Sequence, residues 1–541
     1  MKVLRPLPRR ITRPASFLVL CAWIATMAIL VHRSFIEASS GNLATDLARY
    51  GKTAQWRGIY YRNEKIGFTV SQTVQTDTGF ELQEDGRLQM SLLGAQNLVT
   101  IRTSARVDRD FAVQSFDFSL DPGTGGTRVH GDVTGRRLHI VISTAAGSRV
   151  DDIDLAQPPV LTLTLARRLA DAGLVEGAHH EWTIFDPATL ANAPIALDVG
   201  KRELVGVGRQ RVPAFRVETA YAGLRTTSWI TDTGEVVLEK SPVGLQTIRE
   251  TAADAQNMAV PSGVSADLLS TSAIVPHGRQ RIVEPRDVRR LRLRLTGAEV
   301  PQANLSGVGQ TVAGDVVEIR DPQGFQAGPL DPDVGRYLRP EPLIESDAPE
   351  IRTEAAAAVR NISGARAQAE RLTRHVNAML DKKPTVSLPS AREVLRTKVG
   401  DCNEHTALYV AMARALGIPA RIAVGLVAVH GAFYYHAWPE VYLAEGRSRG
   451  MWLPVDPTLN QFPADATHLR LARGGLDQQA VILPLIGRLK IEILELETAP
   501  NTSPIVVGRA PTDNTPLRIT IPTRAPGDCW SAVSERRRRR Q

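Results

Sequence analysis

The chain has 541 residues, too many for one ordinary hydrophobic core, so two or three domains are expected. Its 43% hydrophobic and 23% charged content is that of a globular protein and excludes a wholly disordered chain. The net charge of +8 suggests nucleic-acid binding until its distribution is read. Lys2, Arg5, Arg9, Arg10, Arg13 and the run Arg536 to Arg540 exceed the whole surplus, leaving 55 basic against 57 acidic residues between the two ends. No localised basic stripe and no groove-reading motif remain, so no nucleic-acid partner is expected.

In chain order, a basic tail (1–14) precedes "ASFLVLCAWIATMAILV", Ala15 to Val31, seventeen residues without a charge. That length is short for a membrane span and long for the apolar part of a signal peptide. Five basic residues precede it and few follow. The expected topology is therefore a transmembrane signal-anchor over 15–33, with the bulk of the chain on the exported, periplasmic side of the inner membrane. The rival reading is a cleaved signal ending at "ASS", Ala38 to Ser40. Export fits the cysteine usage: outside Cys21, only Cys402 and Cys529 remain, so no disulfide framework is expected.

From 50 to 253 short alternating runs such as "FTVSQTVQ", "LVTIRTSARV", "LHIVIST" and "FRVETAY" are punctuated by "DTG", "DPGTGG" and "DTGE". They predict a β-rich domain on a large antiparallel sheet, with one helix over "LTLARRLADAGL". His179 and His180 read as a solvent-facing pair, since no further ligands stand at zinc-like spacing. Residues 254–345 predict a small β-subdomain or structured linker, in which the alternating arginines of "VRRLRLRL" mark the wet face of an edge strand. Helical composition begins near Ala348, in "EIRTEAAAAVRNI" and "GARAQAERLTRHVNAMLDK". Three strand-like runs, "ARIAVGLVAV", "AFYYHAWPEVYL" and "GMWLPVDPT", come later. "LKIEILELE" closes the domain expected over 346–498, ahead of a disordered tail at 499–541. The fold class expected is α+β: a β-rich domain followed by an α+β domain, with one N-terminal transmembrane helix.

The chemistry concentrates in "VGDCNEHTALYVAMARALGIPAR", 399–421. Asp401 and Glu404 have the spacing of a capping box, and Gly417 with Pro419 closes the helix. Cys402 then falls in the first turn, where free N–H groups and the positive end of the dipole favour a thiolate. His436 on the second following strand and Asp456 after the third supply a base and an orienting carboxylate. Alternation puts Trp438 and Glu440 on the strand face of His436. Trp438 is either a wall of the cleft or core packing, and Glu440 has a buried ion pair as its plainest explanation. His405, three residues after Cys402, touches the site or holds the helix start. A zinc site from Cys402, His405 and His436 lacks a fourth ligand, so neither metal nor cofactor is expected.

The blocks "GDCNEHTALYVAMARALGIPAR", "HAWPEVYL" and "MWLPVDPT", within residues 385–462, resemble the transglutaminase-like superfamily. The resemblance implies a papain-like fold in which Cys402 is the nucleophile, His436 the general base and acid, and Asp456 the orienting carboxylate. It also implies thioacyl chemistry on peptide or isopeptide amides, resolved by an amine or by water. Animal transglutaminases carry Trp after the nucleophile and depend on calcium. Here Asn403 takes that place and no calcium loop of the EF-hand type is seen. The expectation is an exported, membrane-anchored cysteine peptidase, amidase or acyltransferase acting on a peptide or protein substrate. The alternative is a non-catalytic binding or assembly module of the cell envelope.

Overall fold

The computed structural model describes Leu47 and residues 50–499, except 52, 93–94, 124–125, 156, 188–189, 222, 259–272, 301–304, 385–387, 476–481 and 483. The segment 15–33 and the tail from 500 lie outside the described residues. Among the described residues, no helix is long and apolar enough to cross a membrane. Among those residues strand makes up 50% and helix 19%, so they are more β than the α+β mixture expected. The cause is the length of the first region, where almost every segment between turns is a strand.

That region forms one fourteen-stranded antiparallel sheet: β1 (Gln55–Tyr61), β2 (Glu64–Gln75), β3 (Gly79–Leu92), β4 (Ala95–Asp108), β5 (Val113–Asp121), β6 (Thr127–Thr134), β7 (Arg137–Thr144), β8 (Gly147–Asp154), β9 (His179–Asp186), β10 (Ala191–Val207), β11 (Gln210–Tyr221), β12 (Leu224–Ile230), β13 (Val236–Lys240) and β14 (Leu245–Glu250). Neighbours in sequence are neighbours in space, except that β1 pairs with β14 and leaves β8 and β9 at the two ends. Period-two alternation gives the sheet one apolar face, and twist curls that face inward. Phe116 of β5 and Phe185 of β9, distant in sheet order, thereby bring their rings to 5.6 Å. The expected helix is α1 (Leu165–Asp171), lying in the crossing from β8 to β9. A short α2 (Ala252–Gln256) follows β14.

β15 (Val288–Thr296) corrects the edge-strand expectation. It lies inside a four-stranded sheet of order β16 (Gln310–Ala313), β17 (Val316–Arg320), β15, β25 (Lys490–Thr498). Its arginines face carboxylates on both neighbours. Arg290 reaches Glu318 at 2.8 Å and Glu497 at 2.7 Å, Arg294 reaches Glu492 at 2.7 Å, and Arg292 pairs with Glu495. Alternating charge is thus as compatible with an interior strand as with an edge, provided the flanking strands carry the opposite sign.

The cysteine-bearing region stacks α3 (Pro349–Ala358), α4 (Ala365–Met379), α5 (Ala391–Thr397) and α6 (Cys402–Ala415) on a five-stranded sheet. The sheet order is β18 (Gly328–Pro329), β23 (Arg449–Pro454), β22 (Ala432–Glu445), β21 (Ala420–Val429), β24 (Leu469–Gly474). The run from Ala407 to Ala413 of α6 is wholly buried, with Val424, Ala437, Val441 and Leu453 in the same core. A second core joins Leu426, Phe433 and Leu471 to Leu291, Leu293 and Ile491 of the four-stranded sheet. The large sheet docks through the β7–β8 turn: Arg392 donates to the Ala146 carbonyl at 3.0 Å, and Glu393 accepts from the Ala146 N–H at 2.9 Å. Leu343 seals the join by packing into the core of the large sheet.

Candidate functional site

The site begins where β23 stops. β22 and β23 pair from Glu445 back to Glu440, and the Val455 N–H still reaches the Pro439 carbonyl at 2.9 Å. Backbone groups two residues apart on a strand point the same way, so those of Ala437 face a place with no strand beside it. The first turns of α6 fill that place. Thr406 Oγ1 donates to the Ala437 carbonyl at 3.1 Å, and the Ala437 N–H donates to the sulfur of Cys402. The proline is tolerated in an inner strand because its missing donor would also point beyond the end of β23.

A short parallel pairing of β19 (Asp381–Lys382) and β20 (Val399–Gly400) leads into α6. Cys402 is the first residue of α6. The Asp401 carboxylate accepts from Asn403 N–H at 3.0 Å, and Glu404 accepts from the Asp401 N–H at 2.8 Å, completing the capping box. Gly400 is required there, since a Cβ would lie 2.2 Å from the Cβ of Glu404.

His436 donates from Nε2 to Oδ2 of Asp456 at 2.8 Å, and both side chains are nearly sealed from solvent. Asp456 sits just past β23, where its backbone pairs with Gln461 and its Oδ1 accepts from the Leu459 N–H at 2.9 Å. The Trp438 ring lies nearly parallel to His436 with centroids 6.1 Å apart, and Trp438 is 1% exposed, so it is at once core and wall. Glu440 is an ion-paired core residue, held by Arg421 at 2.6 Å and Arg470 at 2.7 Å. His179 lies in solvent with Asp198 and Glu181. The expected solvent-facing pair is corrected for His180, which alternation turns to the other face, its ring 5.4 Å from Trp182 and its Nε2 buried.

Burial drives the Asp456 carboxyl upward, but the charge and hydrogen bond of His436, with those of His468, hold it well below the usual carboxylate range. Burial likewise opposes the ionisation of Glu440, and the two arginines still bring it to about 2. For Cys402 the balance runs the other way, and the thiolate expectation is corrected. Desolvation of the sulfur and the Asp401 carboxylate push the thiol well up, against a smaller opposing pull from the Ala437 N–H. The helix end offers partial positive charge, but the capping residue that makes the helix start is itself an anion beside the thiol.

His405 turns Nδ1 to the Asp401 carbonyl at 2.6 Å, which leaves Nε2 as an acceptor in a buried pocket. Burial keeps this ring neutral, with Lys382 nearby adding to the effect. His468 went unmarked in the sequence: it is one residue ahead of a strand and twelve past Asp456, with no motif around it. Its Nε2 meets the same Oδ2 of Asp456 at 3.1 Å. His436, Asp456 and His468 lie close enough to hold a cation. Each nitrogen of the trio that faces Asp456 is instead engaged by that carboxylate, and this fits a hydrogen-bonded network better than a ligand set.

The elements place a thiol, an imidazole and a carboxylate at the meeting of a helix start and a sheet. Residues 351–457, which carry all three, match the transglutaminase-like superfamily, so this segment is a transglutaminase-like domain. A solved structure of a candidate cysteine protease from Cytophaga hutchinsonii is 17% identical, with a TM-score of 0.25 over 43% of this chain and 91% of that one. A β-barrel-like protein of a domain of unknown function from Brucella abortus is 14% identical, with a TM-score of 0.29 over 37% and 98%. A candidate protease from Parabacteroides distasonis is 12% identical, with a TM-score of 0.18 over 70% of each chain. No curated protein matches the chain in sequence.

Proposed function

We propose that the chain is a cysteine peptidase or amidase that cleaves peptide or isopeptide amides through a thioacyl intermediate. The observation that carries this reading is the buried His436–Asp456 pair at 2.8 Å, next to a helix-start cysteine whose sulfur accepts the N–H of the residue after that histidine. With Nε2 committed to Asp456, the base is Nδ1 of His436. A raised Cys402 thiol means that the proton leaves as the sulfur attacks the carbonyl carbon, with no preformed thiolate required. The Cys402 N–H at the helix start faces the developing oxyanion. His436 then gives its proton to the leaving amine, and water attacks the thioester with His436 as base.

Hydrolysis is favoured over amine transfer because Asn403, a polar residue, stands where crosslinking enzymes place an aromatic one. Incubating the protein and a glutamine-containing peptide with a millimolar primary amine, followed by mass spectrometry, tests this: hydrolysed product should dominate, and a majority of amine adducts restores crosslinking. The reading includes export and anchoring through Ala15–Val31. Carbonate washing and protease shaving should leave a short protected N-terminal fragment, whereas recovery in the soluble exported fraction means a cleaved signal. The second reading, a non-catalytic envelope module, draws on the raised thiol. It gains if Cys402→Ala retains every measurable function of the chain.

A further inference from the structure

His468 is 5% exposed, and every partner of its two ring nitrogens is an oxygen acceptor. Nε2 faces Oδ2 of Asp456 at 3.1 Å; Nδ1 faces the carbonyl of Asp465 at 3.1 Å and its Oδ1 at 3.2 Å. A neutral imidazole has one N–H and can serve only one of those sides, so this geometry requires both nitrogens to be protonated. Burial resists the charge, but the hydrogen bonds to Asp456 and Asp465 outweigh it and bring His468 to about 9.

Asp465 is itself fixed. Its carboxylate accepts from the Thr467 N–H at 2.9 Å, the Thr467 hydroxyl at 2.5 Å and the Gln461 amide at 2.8 Å. Gln461 returns to Asp456 through paired backbone hydrogen bonds of 2.9 and 2.7 Å. The loop from 456 to 468 is therefore closed on itself around the site carboxylate. From β22, Trp438 meets the His468 ring edge-on at 5.1 Å and His436 lies at 6.0 Å, so among the described residues the titratable groups facing His468 are Asp456, Asp465 and His436. Oδ2 of Asp456 is held from two directions, and only one of them is His436.

We propose that His468 is a positioning residue of the Cys402 site: clamped between Asp465 and Asp456, it fixes Oδ2 of Asp456 opposite Nε2 of His436 and so keeps Nδ1 of His436 free to serve as the base. This role rests on the reading of Cys402 and His436 as the reacting pair. It does not depend on which amide is the substrate.

Histidine-selective 15N labelling of the full chain tests it, with His468→Gln identifying the signal. One imidazole should be doubly protonated at pH 7, lose a proton near pH 9, and vanish in His468→Gln. In the unmodified protein His436 should be the Nε2–H tautomer; in His468→Phe, which cannot donate, it should become a mixture. His468→Gln, which keeps a donor, should restore the tautomer. The iodoacetamide rate at Cys402 should fall about tenfold in His468→Phe and recover in His468→Gln. A His468 ring that is neutral at pH 7 overturns the proposal, as does a His436 tautomer and rate unchanged in His468→Phe. If the Phe variant does not fold, the titration of the unmodified protein decides. Loss of the His468 proton near pH 9 as expected, but with no selective alkylation of Cys402 at any pH, overturns the reacting-pair reading, and this role with it.

Discussion

In the fourteen-stranded sheet, His139 meets Asp152 at 2.9 Å and His179 meets Asp198 at 2.7 Å, with all four side chains about half exposed. In the cysteine domain His436 and His468 meet Asp456 at 2.8 and 3.1 Å, with the carboxylate fully buried. The two regions use the same residue types at the same distances. Water decides the difference. Exposed pairs trade protein contacts for hydration at little gain, whereas sealed pairs depend on each other for their charge. The sheet can therefore lose such a pair unnoticed, and the cysteine domain cannot. Five substitutions or titrations break or sharpen that contrast.

The largest effect is expected from Cys402→Ala: complete loss of iodoacetamide labelling at this position and of any acyl-enzyme mass shift, with an unchanged circular-dichroism spectrum. Asp456→Asn keeps the shape but removes the anion that orients His436, and the hydrolysis rate should drop by roughly 10³–10⁴-fold. An unchanged rate would reduce the site to a Cys-His dyad. Glu440→Gln leaves Arg421 and Arg470 buried against a neutral group and should destabilise the fold by about 3–5 kcal/mol, read from denaturant midpoints.

Next comes pH. His468 is raised from 6.5 to about 9 in the folded chain. A raised base binds its proton more tightly when folded, so its contribution is complete below about pH 6.5 and drains away as pH rises through 9. The loss amounts to about 3 kcal/mol. Urea unfolding at pH 6.5 and 9.5 should show it in the unmodified protein and not in His468→Gln. The smallest effect belongs to the sheet, where Asp152→Ala should leave the melting temperature unmoved. A clear drop there would end the contrast between the regions.

Much of this was legible along the chain because its causes are local. Alternation announces the strands of the large sheet, and Asp401 with Glu404 announces the start of α6 at Cys402. "HAWPEVYL" and "MWLPVDPT" point to His436 and Asp456 by resemblance. What escaped depends on partners distant in sequence or on solvent. The arginines of β15 look like an edge until Glu492, Glu495 and Glu497, some 200 positions later, line up beside them. The Cys402 thiol looks activated until desolvation and its own capping aspartate are weighed together. His468 has no signature at all, since nothing in its neighbourhood says that the loop from 456 folds back to place it against the site carboxylate. Sequence by itself determined the elements and the reactive residue types, because backbone preference and alternation act over a few residues. Only the tertiary structure decided the charges those residues carry, because a pKa is set by whatever the fold brings within a few ångströms and by how much water it leaves there.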